Sequence, residues 1–457
     1  MSISRILLPG AVLLLAASCT GYLTVQPQGE VIPSTDEEFS AVLQYHLNEI
    51  EGGGDEYILG NMETIARLEG CADDLDANIQ VGSNLPAYAG EVINQRMTDY
   101  RESFAIIKDC NILIENLRER ETPRARGTLS AAYAIKGILY YNLLRDFCEP
   151  WGDGSEAGLP IVDRFDITER PARASLRETV EYADAQLRAA LALEPRDPEY
   201  IFTEYLVKAF RARLAFWAED WDACAALCRD ILDNSGLRLS TRDEYEAMIS
   251  SAAVKGEILA KSHINNASEL DWYFSYVRGY IASRPASTAL ISLFGEEPAR
   301  DIRYTTGFNA RRFNTKLPER RVRLSEIVLM LAECYAHSGD TERTLLQLNA
   351  LRRNRILDAE DLSEMTLPPV RTTDKIRTDA TGKPLTPLMQ AVLDERRREL
   401  YMEGDRFYEL KRGGRPEWWV ISNGLKYTTK AYLYTAPLYK GDLELNPELI
   451  QNPGYED

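Results

Sequence analysis

Residues 394–412 read DERRRELYMEGDRFYELKR, and this stretch decides the fold of the 457-residue chain. Apolar residues recur in and beside it every seven positions, at Leu393, Leu400 and Phe407. Such spacing places one apolar face on a helix. The other positions are dense in arginines and carboxylates, and charges three or four residues apart on a helix are neighbours that pair. The stretch therefore predicts a helix, kinked at Gly404, whose charges have a structural rather than a catalytic role.

The N-terminus has the features of a lipoprotein signal peptide. Arg5 is the only charged residue in positions 1–18, and residues 6–17 are mainly apolar. This run is shorter than the roughly 20 residues that span a bilayer, and it fits the apolar part of a secretory signal. Residues 16–19 read AASC, so Cys19 is predicted to become an acylated N-terminus that anchors the protein to a membrane. Cleavage without lipid attachment is the alternative.

Composition limits the class of partner. The net charge is −18, and it becomes −19 when Arg5 is removed with the signal. A chain this acidic is predicted to bind no nucleic acid and to be repelled by anionic lipid surfaces. Its hydrophobic content of 45% supports a large folded core. We divide the sequence into a signal peptide, residues 1–18, and a single α-helical domain, residues 19–457.

Cysteine and histidine usage predicts neither a metal site nor another cofactor. The six cysteines beyond Cys19 include no C-x-x-C pair, and the three histidines are dispersed. Export permits disulfides, but cysteines scattered through helical patterns are more often small buried residues. The disulfide state stays open at this stage.

Helical periodicity dominates the chain and predicts an all-α, tetratricopeptide-repeat-like scaffold. Two helix–turn–helix patterns, near residues 204–233 and 324–353, each occupy about the 34-residue period of such a repeat. They are far apart in sequence, which predicts an interrupted solenoid. Tryptophans at 217, 221, 418 and 419 are interpreted as packing residues, and Trp151 as equally consistent with packing or function.

Three irregular stretches, residues 71–90, 265–285 and 357–387, are predicted loops in which binding residues tend to lie. Glycans offer apolar faces to aromatic rings and hydroxyls to polar side chains, and the first two stretches supply both groups. The alternative is that the aromatic residues pack the loops onto the helices. The candidate ligand-binding residues are Asp74, Asn78 and Tyr88 in the first stretch, and Trp272, Tyr273 and Tyr276 in the second.

Residues 394–412 also resemble the C-terminal signature of the SusD/RagB family, with Glu409 where aspartate is usual. Further stretches resemble family landmarks in the correct order: residues 22–39, 140–160, 173–175, 323–333, 348–352 and 443–455. The resemblance implies a SusD-like outer-membrane lipoprotein that captures nutrients for a SusC-like TonB-dependent transporter. It also places Asp74, Asn78 and Tyr88 near a ligand-contacting region. The chain is short for the family, which implies trimmed binding loops.

The leading functional hypothesis is a cell-surface lipoprotein that binds an oligosaccharide and delivers it to this transporter. Three alternatives stay open: a relative that captures peptides, a cell-envelope scaffold that binds protein but no nutrient, and a secreted glycosidase. Because no nucleophile, phosphate loop or distinguished carboxylate pair is visible, we predict that the protein is not an enzyme.

Replacing Cys19 with serine is expected to release the protein from membranes, because the thiol is the predicted acylation site. Cell fractionation and detergent-phase partition measure the effect. Unchanged membrane attachment of Cys19→Ser would contradict lipidation.

Overall fold

A computed structural model describes residues 33–76, 88, 90, 100–166, 168–250, 254–261, 284–316, 318, 321–422 and 424–455. Within these residues the chain forms fifteen α-helices and six short β-strands. The predicted all-α class is confirmed, since the strands form only small two-stranded sheets. None of the helices in these ranges is long and apolar enough to cross a membrane.

The helices are numbered in chain order. The first eight are α1 (Asp36–Gly52), α2 (Met62–Cys71), α3 (Tyr100–Leu117), α4 (Pro123–Phe147), α5 (Leu176–Ala192), α6 (Glu204–Trp217), α7 (Trp221–Asn234) and α8 (Arg242–Ser250). The others are α9 (Thr288–Ser292), α10 (Ile302–Gly307), α11 (Leu324–His337), α12 (Thr341–Arg353), α13 (Pro387–Glu399), α14 (Arg406–Arg412) and α15 (Lys440–Leu445).

Each of the three sheets is one antiparallel pair of strands. The strands are β1 (Ala157–Pro160), β2 (Arg173–Ser175), β3 (Ile258–Lys261), β4 (Arg321–Arg323), β5 (Trp418–Ser422) and β6 (Leu425–Thr429). β5 and β6 are a hairpin in which Trp418 lies opposite Thr429 and Ser422 opposite Leu425.

The helices form one continuous layer. α4 packs against α3 and α5, and α5, α6 and α7 follow as successive neighbours. α7 then packs against α11, although residues 235–323 separate these helices in sequence. α11 contacts α12 and α13 in turn. The two helix pairs therefore stack directly, so the interruption predicted for the solenoid exists in sequence but not between these helices in space.

In both helix pairs an aspartate side chain caps the second helix. The side chain of Asp220 accepts the backbone N–H three residues ahead at 3.1 Å and caps α7. Asp340 does the same for α12 at 2.9 Å. A carboxylate in this position satisfies an otherwise unpaired N–H and interacts favourably with the positive end of the helix dipole.

Small sulfur side chains fill the contact between α7 and α11. Cys224 and Cys228 of α7 are fully buried with their Sγ atoms 3.9 Å apart, and Cys334 of α11 is buried with them in the main core. All six cysteines in the described part of the chain are buried. The sulfurs of α7 and α11 thus serve as small side chains in the packed core.

Residues 387–412, which include the charged stretch 394–412, form two helices instead of one. α13 ends at Glu399, a turn follows, and α14 begins at Arg406. The prediction of a single helix kinked at Gly404 is wrong, because Met402 and Gly404 have left-handed φ angles of 61° and 74°. Gly404 also approaches α2, and its N–H donates to Glu69 Oε1 at 3.0 Å.

Glu399, the last residue of α13, lies at the centre of a buried cluster of ion pairs. Its carboxylate accepts hydrogen bonds from Arg323 at 2.8 Å, Arg303 at 3.1 Å and Arg355 at 3.0 and 3.1 Å. All four residues are buried. Burial alone would raise the pKa of Glu399, but the three guanidinium groups hold it well below its usual range. The carboxylate is therefore ionised and paired inside the protein.

Two further carboxylates of the cluster, Glu257 and Glu403, share its arginines. Glu257 accepts from Arg323 at 2.9 Å and from Arg355 at 2.9 and 3.0 Å. Glu403 accepts from Arg323 and from Lys316, each at 2.7 Å. The cluster joins segments that are distant in sequence, from the start of β3 to the turn after α13. Removing one member of such a buried pair costs about 3–5 kcal/mol, because its partner keeps an uncompensated charge.

Replacing Gly404 with alanine is expected to lower the free energy of unfolding for two reasons. The left-handed φ costs a side chain about 1–2 kcal/mol. A Cβ atom would also lie 2.9 Å from Leu68 Cδ1 in the core, and overpacking costs about 1–3 kcal/mol more. Urea unfolding measures the loss.

Gly295→Ala is the matched control for Gly404→Ala. Gly295 has a φ of 72°, and a Cβ there meets nothing within 4 Å. It should therefore show only the backbone cost. Equal losses in the two variants would contradict the close contact between Gly404 and Leu68.

Candidate functional site

The structure brings together the bases of the first two predicted binding loops. Leu75 forms an antiparallel bridge with Ala286. The N–H of Asp76 donates to Pro285 O, and the N–H of Ser287 donates to Asp74 O, each at 2.8 Å. The described part of residues 71–90 thus lies directly against the described end of residues 265–285, about 200 positions later in the chain.

Arg312 links a third segment to these loop bases. Its Nη1 donates to Asp76 Oδ2 at 3.0 Å and also to the carbonyl oxygen of Ala286. Its own carbonyl accepts the N–H of Ala286 at 2.8 Å. Backbone and side-chain bonds therefore fix the position at which both candidate loops leave the helical layer.

Residues 394–412, the signature segment, form ion pairs with the base of the first loop. Arg397 Nε donates to Asp74 Oδ1 at 2.6 Å, and Arg406 donates to both oxygens of Asp73, at 2.7 and 3.1 Å. Burial alone would raise the pKa of Asp73, but Arg397 and Arg406 hold it well below its ordinary value. Arg397 and Arg406, for which the sequence predicts a structural role, therefore hold the base of a candidate binding loop in position.

Asp74 is placed in the interior rather than at a binding surface. Its side chain is fully buried and its carboxylate is directed at Arg397. In this structure Asp74 is therefore part of the loop base, and its role as a ligand contact stays a prediction. Its neighbour on α2, Glu69, is also fully buried, and burial raises its pKa to about 8.

Tyr88 contacts an aromatic residue that the sequence analysis did not select. Its ring centroid lies 5.4 Å from that of Tyr427 on β6, with a 53° angle between the planes. Both residues are half-buried. The separation lies within the range that aromatic pairs prefer, so the two rings stabilise each other. The hairpin connects this pair to the C-terminal part of the chain.

A turn signal in the sequence could have identified this hairpin. Residues 418–429 read WWVISNGLKYTT, in which Asn-Gly separates two runs rich in strand-forming residues. The period-2 pattern then places Tyr427 on the same face as Val420, its partner in the register. What the sequence could not supply is the partner Tyr88, which comes from a distant segment.

The two tryptophans of the hairpin have different environments. Trp418 is buried, but Trp419 is 57% exposed, with Ile421 beside it at 59%. The packing role predicted for both is therefore wrong for Trp419, because successive strand residues point to opposite faces. The ammonium of Lys426 lies 5.2 Å from the Trp419 ring centroid. Trp217 and Trp221 do pack, the latter stacked on His337 at 4.0 Å.

Several predicted site residues lie outside the described residues: Cys19, Asn78, Trp272, Tyr273 and Tyr276. Of the candidate ligand contacts, the described ones are Asp74 and Tyr88. No group of three or more histidine, cysteine, aspartate or glutamate side chains in the described ranges is arranged to hold a metal ion.

Comparison with known proteins supports the resemblance seen in the sequence. Residues 300–455 match the sequence model of the SusD family. This region contains the α13–α14 segment, the α11–α12 helix pair and the β5–β6 hairpin. No curated protein matches the chain. The resemblance to the SusD/RagB family is confirmed.

Solved structures extend the likeness of fold over nearly the whole chain. A SusD superfamily protein from Bacteroides thetaiotaomicron superposes with a TM-score of 0.71 at 18% identity, covering 92% of this chain and 100% of that chain. A SusD-like carbohydrate binding protein from Bacteroides vulgatus has a TM-score of 0.68 at 18% identity, with coverages of 91% and 98%. A Bacteroides fragilis SusD superfamily protein has a TM-score of 0.70 at 16% identity, with coverages of 92% and 100%. At these identities the likeness concerns the fold.

Arg397→Ala is expected to lower the free energy of unfolding by about 3–5 kcal/mol, because Asp74 would keep a buried carboxylate without its ion-pair partner. Urea unfolding measures the loss. Arg353→Ala is the control, since Arg353 and its partner Asp361 have side chains 56% and 47% exposed. Such a surface pair contributes about 0–1 kcal/mol. An equally small effect of Arg397→Ala would remove the loop-base role.

Proposed function

We propose that this SusD-like protein is an outer-membrane lipoprotein that binds an oligosaccharide and passes it to a SusC-like TonB-dependent transporter. The supporting observation is the joining of two sequence-predicted binding stretches at one point, through the bridge between Leu75 and Ala286. Stretches that were selected separately for their aromatic and polar residues share one base, which is the arrangement that a single binding surface requires.

The proposed ligand contacts combine aromatic rings and polar groups. Tyr88 and Tyr427 supply a described aromatic pair. Asn78, Trp272, Tyr273 and Tyr276 are assigned to the same surface from sequence alone. Rings stack on the apolar faces of sugars, and amides and hydroxyls bond their hydroxyl groups. The helical layer would hold these groups in place, so little conformational entropy would be lost in ordering the scaffold on binding.

Delivery needs no chemical step by the protein. Lipid attachment at Cys19 would confine it to the membrane surface and raise its effective concentration beside the transporter. We therefore propose binding and hand-over rather than turnover of the ligand. The partner is tested by purification from native outer membranes: a SusC-like β-barrel that accompanies the wild-type protein supports hand-over, and its consistent absence counts against it.

The binding site is tested with Trp272→Ala and Tyr427→Ala. A stacked ring contributes about 0.5–1.5 kcal/mol beyond its buried area, and about 1.4 kcal/mol is a tenfold change in affinity. Each variant should therefore bind the oligosaccharide severalfold more weakly while its melting curve stays close to that of the wild type. Calorimetry on a ligand first found in a panel of soluble glycans measures the effect.

Tyr45→Ala is the control for these variants. Tyr45 is 65% exposed on α1, outside every candidate stretch, so its loss should leave affinity unchanged. Unchanged affinity in both Trp272→Ala and Tyr427→Ala would place the binding surface elsewhere. Binding of peptides but of no glycan would reject the proposed ligand class and favour peptide capture.

A further inference from the structure

A small cavity lies where the signature segment meets the helical layer. Its walls come from α4, α6, α11, α13 and α14, and it holds about 50 Å³ of free space. Four arginines line it, Arg145, Arg213, Arg396 and Arg412, and we call this cavity the arginine pocket. The aromatic walls are Tyr141, Phe216, Trp217 and Tyr408.

Three of the four guanidinium groups are matched by carboxylates. Arg213 donates twice to Glu326, at 2.7 and 2.6 Å. Arg396 donates twice to Asp405, at 2.8 and 2.6 Å. Arg412 donates to Glu333 at 2.8 Å. None of these three carboxylates is within ion-pair distance of the fourth arginine, Arg145.

Arg145 is the unmatched cation. It is only 9% exposed, and no described carboxylate lies within ion-pair distance of it. Its Nη2 donates to Asn142 Oδ1 at 2.9 Å, and its guanidinium lies 4.3 Å from the Tyr141 ring centroid and 4.0 Å from that of Tyr408. Rings and an amide compensate a buried positive charge only in part.

Unused hydrogen-bond donors accompany this charge. Arg145 Nε, Arg396 Nη1 and Arg412 Nε are buried and have no hydrogen-bond partner among the described residues. Trp217 Nε1 is buried and has no partner. Buried donors are normally satisfied, and each one left alone costs about 1–3 kcal/mol.

The acidic residues that line the pocket are occupied by cations on other sides. Glu403 is bound by Arg323 and Lys316 at 2.7 Å. One oxygen of Glu409 accepts a hydrogen bond from Arg406, and burial raises the pKa of Glu409 to about 7. One Glu409 oxygen has no partner, which is a single acceptor against several donors. Unpartnered donors therefore outnumber unpartnered acceptors on the described residues that line the pocket.

We propose that the arginine pocket binds one compact monovalent anion, either a halide ion or a small carboxylate. Its free volume of about 50 Å³ exceeds the roughly 10–15 Å³ of such volume that one water needs, so it has room for a small ion. An anion would lie beside Arg145, which has no ion-pair partner among the described residues, and would accept hydrogen bonds from Arg145 Nε, Arg396 Nη1 and Arg412 Nε, which bound water does only in part. The ion would join α4 and α6 to α14 and so stabilise the attachment of the signature segment.

The first test uses the wild-type protein in sodium bromide, chloride, acetate and gluconate at one sodium concentration. Gluconate is much larger than the other three anions and serves as the reference. The melting temperature should be higher in bromide, chloride or acetate than in gluconate, and the anion that gives the shift distinguishes halide from carboxylate. Equal melting temperatures in all four salts would overturn the proposal.

The second test locates the ion. Crystals grown in sodium bromide should give an anomalous peak within hydrogen-bond distance of Arg145 and Arg412, or, where only acetate raises the melting temperature, acetate density at the same place. Density for water alone in the pocket, in the salt that raises the melting temperature, would overturn the proposal. This test does not depend on a variant that must fold.

A variant pair separates the pocket from general salt effects. Arg145→Gln should lose the anion-dependent shift in melting temperature, because the unmatched charge is gone. Arg343→Gln should keep the shift, since Arg343 is 54% exposed and pairs with Asp340 outside the pocket. Retention of the full shift in Arg145→Gln would reject the assignment. If Arg145→Gln does not fold, the bromide and acetate crystals of the wild type decide.

Discussion

The structure depends on burying the carboxylate of Glu399 among Arg303, Arg323 and Arg355. An ionised group can lie in the interior only when charges and donors surround it, so these segments must assemble together. Hydrophobic packing forms the helical layer, but apolar contacts are not directional and tolerate alternative arrangements. The ion cluster adds direction, because a guanidinium bonds a carboxylate in a fixed plane. It fixes where the C-terminal half of the chain meets the insertion between the two helix pairs.

The consecutive arginines 396, 397 and 398 show how one helix supports several parts of the molecule. Successive residues of an α-helix are rotated by about 100°, so the three side chains leave α13 in different directions. Arg396 reaches Asp405 and the arginine pocket, Arg397 reaches Asp74 under the first loop base, and Arg398 donates to the carbonyl of Leu293 at 2.7 Å. The three consecutive arginines therefore make three separate contacts. The loss of any one of them should affect a different neighbouring segment.

This arrangement links stability to the proposed binding function. The loop bases are tied to each other by backbone bonds and to the signature segment by Asp73 and Asp74. Binding residues carried by irregular stretches can have a defined position only when the ends of those stretches are rigid. A variant that damages the ion pairs could lower ligand affinity without touching the ligand. Stability and affinity must be measured together before any residue of the signature is assigned to binding.

The sequence by itself determined the helical class, the two helix pairs, and the structural role of the charged segment. Each rests on local rules, helix periodicity and capping, that act over a few residues. It could not reveal that α13 ends at Glu399, because the left-handed turn after it is imposed by the approach of Gly404 to Leu68 and Glu69. Nor could it show that Asp74 is buried, that Trp419 is exposed, or that Tyr88 meets Tyr427. These facts depend on contacts between segments far apart in the chain, and only tertiary packing decides which side of a local pattern faces the protein and which faces solvent.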